Sequence, residues 1–273
     1  MALSARSMKQ ASINGISLAW REAGSGLAVV FAHGHPFDHT MWDPQVDALS
    51  WKYRVIVPDL RGYGASEAPE SDTITLEMMA EDLRALLDHL HIDRAVVVGL
   101  SLGGQAAMAF ADLFPERLAG LVLAATFAEG ETPEGVAARR AMAERFINEG
   151  TVLPGGEMLP KLFAPASLKR DPALALKVFT MIANASPAGA AAALRGRALR
   201  KDYLEPLTHV TVPALIVFGT EDKYVTRDRA ERMHAAIPGS QLEIFDGVGH
   251  MPNLEATARF NAVLHEFLAQ IKA

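Results

Sequence analysis

Short β-branched apolar runs alternate along this chain with stretches whose apolar residues recur at helical spacing. Lys9 to Ile13 and Ile16 to Arg21 alternate around Asn14-Gly15, a two-residue turn signal that predicts an antiparallel hairpin. Ala28 to Ala32 and Tyr53 to Val57 read as buried strands either side of a helix near Trp42 to Leu49. Thr75 to Leu90 carries Leu76, Met79, Leu83, Leu86, Leu87 and Leu90, the spacing of a helix with one buried face. Strand Ala95 to Val98, helix Gln105 to Leu113, and strands at Leu118 to Ala124, Pro213 to Gly219 and Gln241 to Phe245 continue the alternation, and Leu254 to Ile271 predicts a last amphipathic helix. A βαβ alternation of this kind predicts an α/β protein: a mostly parallel, eight-stranded sheet covered by helices on both faces, with a short antiparallel start.

The pattern changes between Phe127 and about Pro206. No strand pattern appears there, and Pro133, Pro154, Pro160, Pro165, Pro172 and Pro187 interrupt helical stretches. We read residues 127–206 as a helical unit of roughly four short helices, inserted into a core formed by 1–126 and 207–273. Lying over the strand ends, its apolar residues are expected to roof a pocket. Met142, Phe146, Met158, Leu162, Phe163, Phe179 and Met181 are the candidates, with Met142, Phe146, Phe163 and Phe179 taken as substrate contacts.

Composition narrows the function classes. The 273 residues are half hydrophobic, with 26 Lys plus Arg against 32 Asp plus Glu and a net charge of −6. That is the balance of a globular soluble protein, and it gives no electrostatic reason to expect nucleic acid or an anionic membrane as partner. The absence of cysteine excludes disulfides, thiolate metal sites and cysteine nucleophiles. Residues 1 to 14 lack the apolar segment of a secretory leader, and no apolar run approaches the ~18 residues of a membrane helix, so a cytoplasmic protein is expected.

The candidate chemistry begins at Gly99-Leu100-Ser101-Leu102-Gly103, a G-x-S-x-G sequence between an apolar strand and an alanine-rich helix. A serine at such a turn stands clear of the sheet while the helix N-terminus points its N–H groups at whatever binds there. Nucleophilic serine needs a base and a carboxylate to orient that base. Asp222 follows the strand that ends at Gly219, and His250 follows the strand that ends at Phe245. The chain order Ser101, Asp222, His250 is serine, acid, histidine, each just past a strand where an open α/β sheet gathers its ligand site. Asp246 and Asp228 compete with Asp222 for the acid's place, while Asp59 and Arg61 are expected to brace the turn after their strand. His89, His91, His209, His234 and His265 read as surface or packing residues.

Five segments in order, Phe31-Ala32-His33-Gly34-His35-Pro36, Pro58 to Ser66, the Ser101 turn, Gly219 to Asp222 and Gly249-His250, resemble the α/β-hydrolase superfamily. The nearest likeness is to serine esterases and lactonases with a helical cap, including 3-oxoadipate enol-lactonase-like and arylesterase-like hydrolases. The resemblance implies an α/β-hydrolase fold, no cofactor and no metal. It also implies a small-molecule ester or lactone substrate, and an oxyanion hole made by the main-chain N–H groups of Leu102 and His35, the latter selected by the H-G-x-P pattern.

Two rivals are weighed against this reading. His33, His35, Asp38 and His39 resemble an H-x-H-x-D-H zinc motif, but two residues, Pro36 and Phe37, separate His35 from Asp38 where that motif has one. A ligand receptor could reuse the fold, since fold does not fix function, although a complete triad argues for an enzyme. Within the hydrolases, the serine at position 101 argues against dehalogenases and epoxide hydrolases, whose nucleophile is aspartate. Esterase, lactonase, carbon–carbon bond hydrolase and cofactor-free perhydrolase remain open, as does the oligomeric state.

Overall fold

The computed structural model describes residues 7–68 and 70–271. The outer limits of the core unit, and residues 1–6 of the segment read for a leader, lie outside them. Eight strands form one sheet: β1 (Lys9–Ile13), β2 (Ile16–Ala23), β3 (Ala28–Ala32), β4 (Arg54–Pro58), β5 (Ala95–Leu100), β6 (Leu118–Ala124), β7 (Ala214–Gly219) and β8 (Gln241–Phe245). Their order across the sheet is β1-β2-β4-β3-β5-β6-β7-β8. The β1–β2 and β2–β4 pairings are antiparallel and all others parallel. This is the α/β-hydrolase fold, as expected.

The central strands β3, β5 and β6 are buried at every position, as continuous apolar runs covered on both faces must be. Alternation along β5 divides the core. Ala95 and Val97 face a cluster built with helices α2 (Leu76–His89) and α3 (Leu102–Leu113). Val96 and Val98 face a second, built with α1 (Asp43–Leu49) and the C-terminal α12 (Thr257–Ala269).

Between β6 and β7 the chain forms five helices, α4 (Pro133–Glu149), α5 (Val152–Leu162), α6 (Pro165–Arg170), α7 (Pro172–Asn184) and α8 (Pro187–Arg197), then the single turn α9 (Leu204–Leu207). The count exceeds the four expected because four of the six prolines start helices here, while Pro154 and Pro160 lie within α5 without ending it. Pro133, Pro165, Pro172 and Pro187 each stand in the first helical turn, where a missing N–H leaves no bond unmade. Thr132, Asp171 and Ser186 cap three of those turns by accepting the N–H of Gly135, Leu174 and Gly189.

The C-terminal helix departs from expectation by breaking at Ala256, between α11 (Pro252–Glu255) and α12. Just before the break, the buried Glu255 carboxylate turns inward and accepts three backbone N–H groups, those of Ala164 at 2.8 Å, Gly249 at 3.1 Å and Met251 at 3.1 Å. Helix α10 (Arg227–Ala236) covers the β7–β8 end of the sheet. Among the described residues no helix is long and apolar enough to cross a membrane.

Candidate active site

Ser101 sits between the end of β5 and the first residue of α3, with φ 54° and ψ −111°. That left-handed backbone is sparsely populated for a side-chain-bearing residue, and the surroundings enforce it. The Ser101 N–H donates to Ala124 O at 3.0 Å, while its carbonyl accepts from Gln105 N at 3.1 Å and Thr126 Oγ1 at 2.8 Å. Only glycine fits on either side of the turn: a Cβ on Gly99 would lie 2.2 Å from Gly103 O, and one on Gly103 would lie 2.1 Å from Ala32 O. The helix therefore starts at Leu102, three residues before the apolar pattern suggested. As its first residue, Leu102 presents an N–H that has no acceptor within the helix.

His250 follows β8 and is held from both sides. Its N–H donates to Leu162 O at 3.0 Å, and Glu255 accepts the N–H groups of its neighbours Gly249 and Met251. The ring Nδ1 is 2.8 Å from Asp222 Oδ2, with both side chains nearly fully buried. The second carboxylate oxygen of Asp222 accepts the N–H of Tyr224 at 2.7 Å and of Val225 at 3.1 Å. Asp222 is thus fixed as an acceptor, which selects the His250 tautomer carrying hydrogen on Nδ1 and leaves Nε2 as the basic nitrogen.

Neither competing acid reaches His250. Asp246 is exposed and accepts from Thr220 Oγ1 at 3.2 Å. Asp228 lies in the first turn of α10 and pairs with Arg232 at 2.6 Å.

Ser101 and His250 open onto one cavity of about 370 Å³, which His35, Gln105, Arg197 and Tyr224 also line. His35 is buried, with Nδ1 2.7 Å from the Tyr63 hydroxyl. Burial, then the positive charges of Arg197 and Arg139, hold its imidazole well below the usual histidine range, so it is neutral near pH 7. The Tyr224 ring lies 4.9 Å from that of His250, and burial followed by the Asp222 charge pushes its hydroxyl up to about 12.

From the inserted helices Met142, Met158 and Leu162 line the cavity, whereas Phe146, Phe163 and Phe179 stand outside its lining. Phe146 is completely buried, its ring 5.6 Å from that of His35 and packed against Ala143, Ala190 and Leu194. Phe163 is buried in the core cluster beneath α7, and Phe179 is half-buried on α7 near Gly155. Apolar residues at helical spacing pack helix to core as readily as they face a cavity, and the sequence pattern does not separate the two.

The histidine-rich loop is occupied by local bonds. His33 Nδ1 donates to Gly34 O at 2.8 Å and its Nε2 accepts from Leu60 N at 3.0 Å. Asp38, His39 and Asp59 bring ligand-type atoms within 4.8 Å of one another. Asp59 already accepts from His39 N and Nδ1, each at 2.8 Å, and from Ala65 N at 2.9 Å, while Asp38 accepts from Thr40 N at 2.8 Å. Asp59 therefore braces its turn, and Arg61 does the same through a buried two-point pairing with Asp82 on α2.

Sequence reasoning missed Glu255, Tyr224, Gln105 and Arg197. The signal for Tyr224 was its place two residues after Asp222. Gln105 and Glu255 likewise stand close in sequence to Ser101 and His250, whereas Arg197 is brought to the site by a contact between distant segments, its bond to Gln105.

With fold and geometry in hand, the comparisons give the class. Residues 28–257 match the alpha/beta hydrolase fold family, and the chain belongs to it. It is a hydrolase. A thermophilic esterase from Thermogutta terrifontis, solved with malate bound, superposes with a TM-score of 0.94 at 36% identity, covering 98% of this chain and 100% of that one. The 3-oxoadipate enol-lactonase 1 of Acinetobacter baylyi is 31% identical over 245 residues, 90% of each chain. The enol-lactonase of Burkholderia xenovorans LB400 superposes with a TM-score of 0.89 at 29% identity, covering 96% of this chain and 100% of that one.

Proposed function

We propose that this protein is a serine hydrolase that cleaves a small carboxylic ester or lactone through an acyl-enzyme. The observation that carries the reading is the His250–Asp222 pair at 2.8 Å beside a serine held at positive φ on the same cavity. The similarity to an esterase and to enol-lactonases supports it.

In this reading Ser101 Oγ attacks the substrate carbonyl as His250 Nε2 takes its proton. Asp222 keeps the imidazole in the required tautomer and stabilises the imidazolium. The N–H groups of Leu102 and His35 receive the negative charge that develops on the carbonyl oxygen, an interaction worth on the order of 100 to 1,000-fold in rate per donor. His250 then returns its proton to the leaving alkoxide, and a water activated by the same nitrogen releases the acid and frees Ser101. Residues 127–206, with helices α4 to α8, act as a cap over the strand ends, with Met142 on the apolar side of the bound acyl group.

Hydrolysis of p-nitrophenyl acetate and of γ- and δ-lactones by the wild type and Ser101→Ala tests this. The reading requires turnover by the first and none by the second.

A further inference from the structure

The cavity carries charge that the hydrolytic reading does not use. Three arginines line it. Arg139 is paired with Glu131, and Arg229 approaches Glu129 at 3.9 Å and covers the Phe127 ring at 4.1 Å. Arg197 differs from both. It is buried at 8% exposure, its Nε donates to the neutral Gln105 Oε1 at 3.0 Å, and among the described residues no carboxylate pairs with it. Lys161, the remaining cation on the lining, is exposed.

An arginine keeps its proton in proteins, and a buried charge without a counter-ion is unfavourable unless something supplies one. Burial and the like charges of Arg139 and Arg200 all work against the charged form of Arg197; Tyr63 and Glu131 act the other way but more weakly, and the Glu131 carboxylate, on the same lining, is paired with Arg139 and Arg200 instead. The neighbours are also donors without acceptors. Gln105 is buried, uses its oxygen on Arg197, and has no partner for Nε2. His35 has no partner for Nε2 either. Because the Tyr63 hydroxyl is fully buried and His35 Nδ1 is its bonded neighbour, the hydroxyl donates to Nδ1 and the neutral ring carries its hydrogen on Nε2.

This constellation is held rigidly. Helix α8 presses onto the core where a Cβ on Gly196 would lie 1.7 Å from Ile74 O, so Arg197 projects from a segment that has no room to shift inward. The same cavity holds Ser101, so an anion bound at Arg197 belongs to the molecule whose carbonyl faces the serine.

The geometry points to a carboxylate-bearing acyl group as the substrate's distinguishing feature: Arg197, with Gln105 Nε2 and His35 Nε2 as supporting donors, receives the free carboxylate of a short dicarboxylic half-ester or the corresponding carboxy-lactone. Arg197 is in this view a specificity determinant. The inference rests on the serine hydrolase reading above and adds the substrate class to it.

The test compares kcat/KM for mono-p-nitrophenyl succinate and glutarate with that for p-nitrophenyl butyrate and valerate. A parallel pair, 4-acetoxybenzoate and phenyl acetate, moves the carboxylate to the alcohol side. The wild type is expected to prefer the acyl-side half-esters by on the order of 10-fold to 100-fold, the range of a hydrogen bond to a charged group. In Arg197→Met that preference ratio collapses toward unity, and Arg197→Lys restores part of it. Free glutarate is expected to compete with substrate in the wild type at concentrations where glutaramide does not, a measurement that needs no variant. Equal kcat/KM for half-ester and neutral ester, a ratio unmoved in Arg197→Met, or a preference confined to the alcohol-side pair overturns the assignment. Loss of all ester hydrolysis, or hydrolysis that survives Ser101→Ala, overturns the serine hydrolase reading instead.

Discussion

His250 Nδ1 stands 2.8 Å from one carboxylate oxygen of Asp222, while the other oxygen is held by the N–H groups of Tyr224 and Val225. Asp222→Asn preserves an acceptor for those two N–H groups but offers His250 an amide where it needs an anion. The substitution is expected to lower kcat by on the order of 1,000 to 10,000-fold, as the wrong imidazole tautomer does in other triads. Thermal unfolding should change little. Asp246→Asn, at the exposed neighbour bonded to Thr220, should leave kcat close to that of the wild type. Steady-state kinetics on the two variants separates the acids.

Glu255 is expected to matter for rate although it is not on the cavity lining. Its carboxylate ties Ala164, ahead of α6, to the two residues flanking His250. Glu255→Ala leaves three buried donors without an acceptor, each costing about 1–3 kcal/mol. A lower melting temperature and a lower kcat are expected together, with Glu255→Gln intermediate because its single carbonyl oxygen still accepts. Melting curves and kcat measured on the same preparations check this.

Phe146 and Met142 should part company. Phe146 is fully buried between α4, α8 and His35, so Phe146→Ala is expected to destabilise by about 3–5 kcal/mol. Met142 is half-buried and lines the cavity, so Met142→Ala should act on KM more than on stability. Denaturant unfolding and Michaelis–Menten curves for the two variants decide it.

The His39–Asp59 contact predicts a pH window. Burial opposes the charged form of each, but the hydrogen bond and charge of the partner outweigh it. His39 therefore lies above its ordinary 6.5 and Asp59 below its ordinary 3.8. The histidine's contribution is complete below 6.5 and is lost as pH rises through its raised value. The aspartate's is complete above 3.8 and is lost as pH falls through its lowered value. His39→Gln should therefore reduce stability most between those two values, by on the order of 1 kcal/mol, and less at about pH 9. A difference in unfolding free energy that does not vary with pH would contradict this.

What the sequence disclosed, and what it hid, follows from the range of the interactions. Strands β1, β3, β6 and β8 end where local alternation places them, and the Ser101 turn is readable because its glycines are demanded by neighbours within four residues and by one adjacent strand. The position of β4 outside β3 was not legible, since several parallel orders satisfy the same alternation. Prolines in the inserted region looked like interruptions because their effect depends on whether the next turn is helical, as it is after Pro133, Pro165, Pro172 and Pro187. Arg197 lies in an alanine-rich helix whose sequence carries no sign of a cavity. Its meaning comes from Gln105, 92 positions away.

The most direct test of the central claim is intact-protein mass spectrometry after treatment with a serine-reactive aryl phosphonate, with ester hydrolysis followed in parallel. The account predicts one covalent adduct, mapped to the peptide containing Ser101, hydrolysis lost in proportion to labelling, and neither adduct nor hydrolysis in Ser101→Ala. Full hydrolysis by Ser101→Ala, or by wild-type protein carrying the adduct, would contradict it.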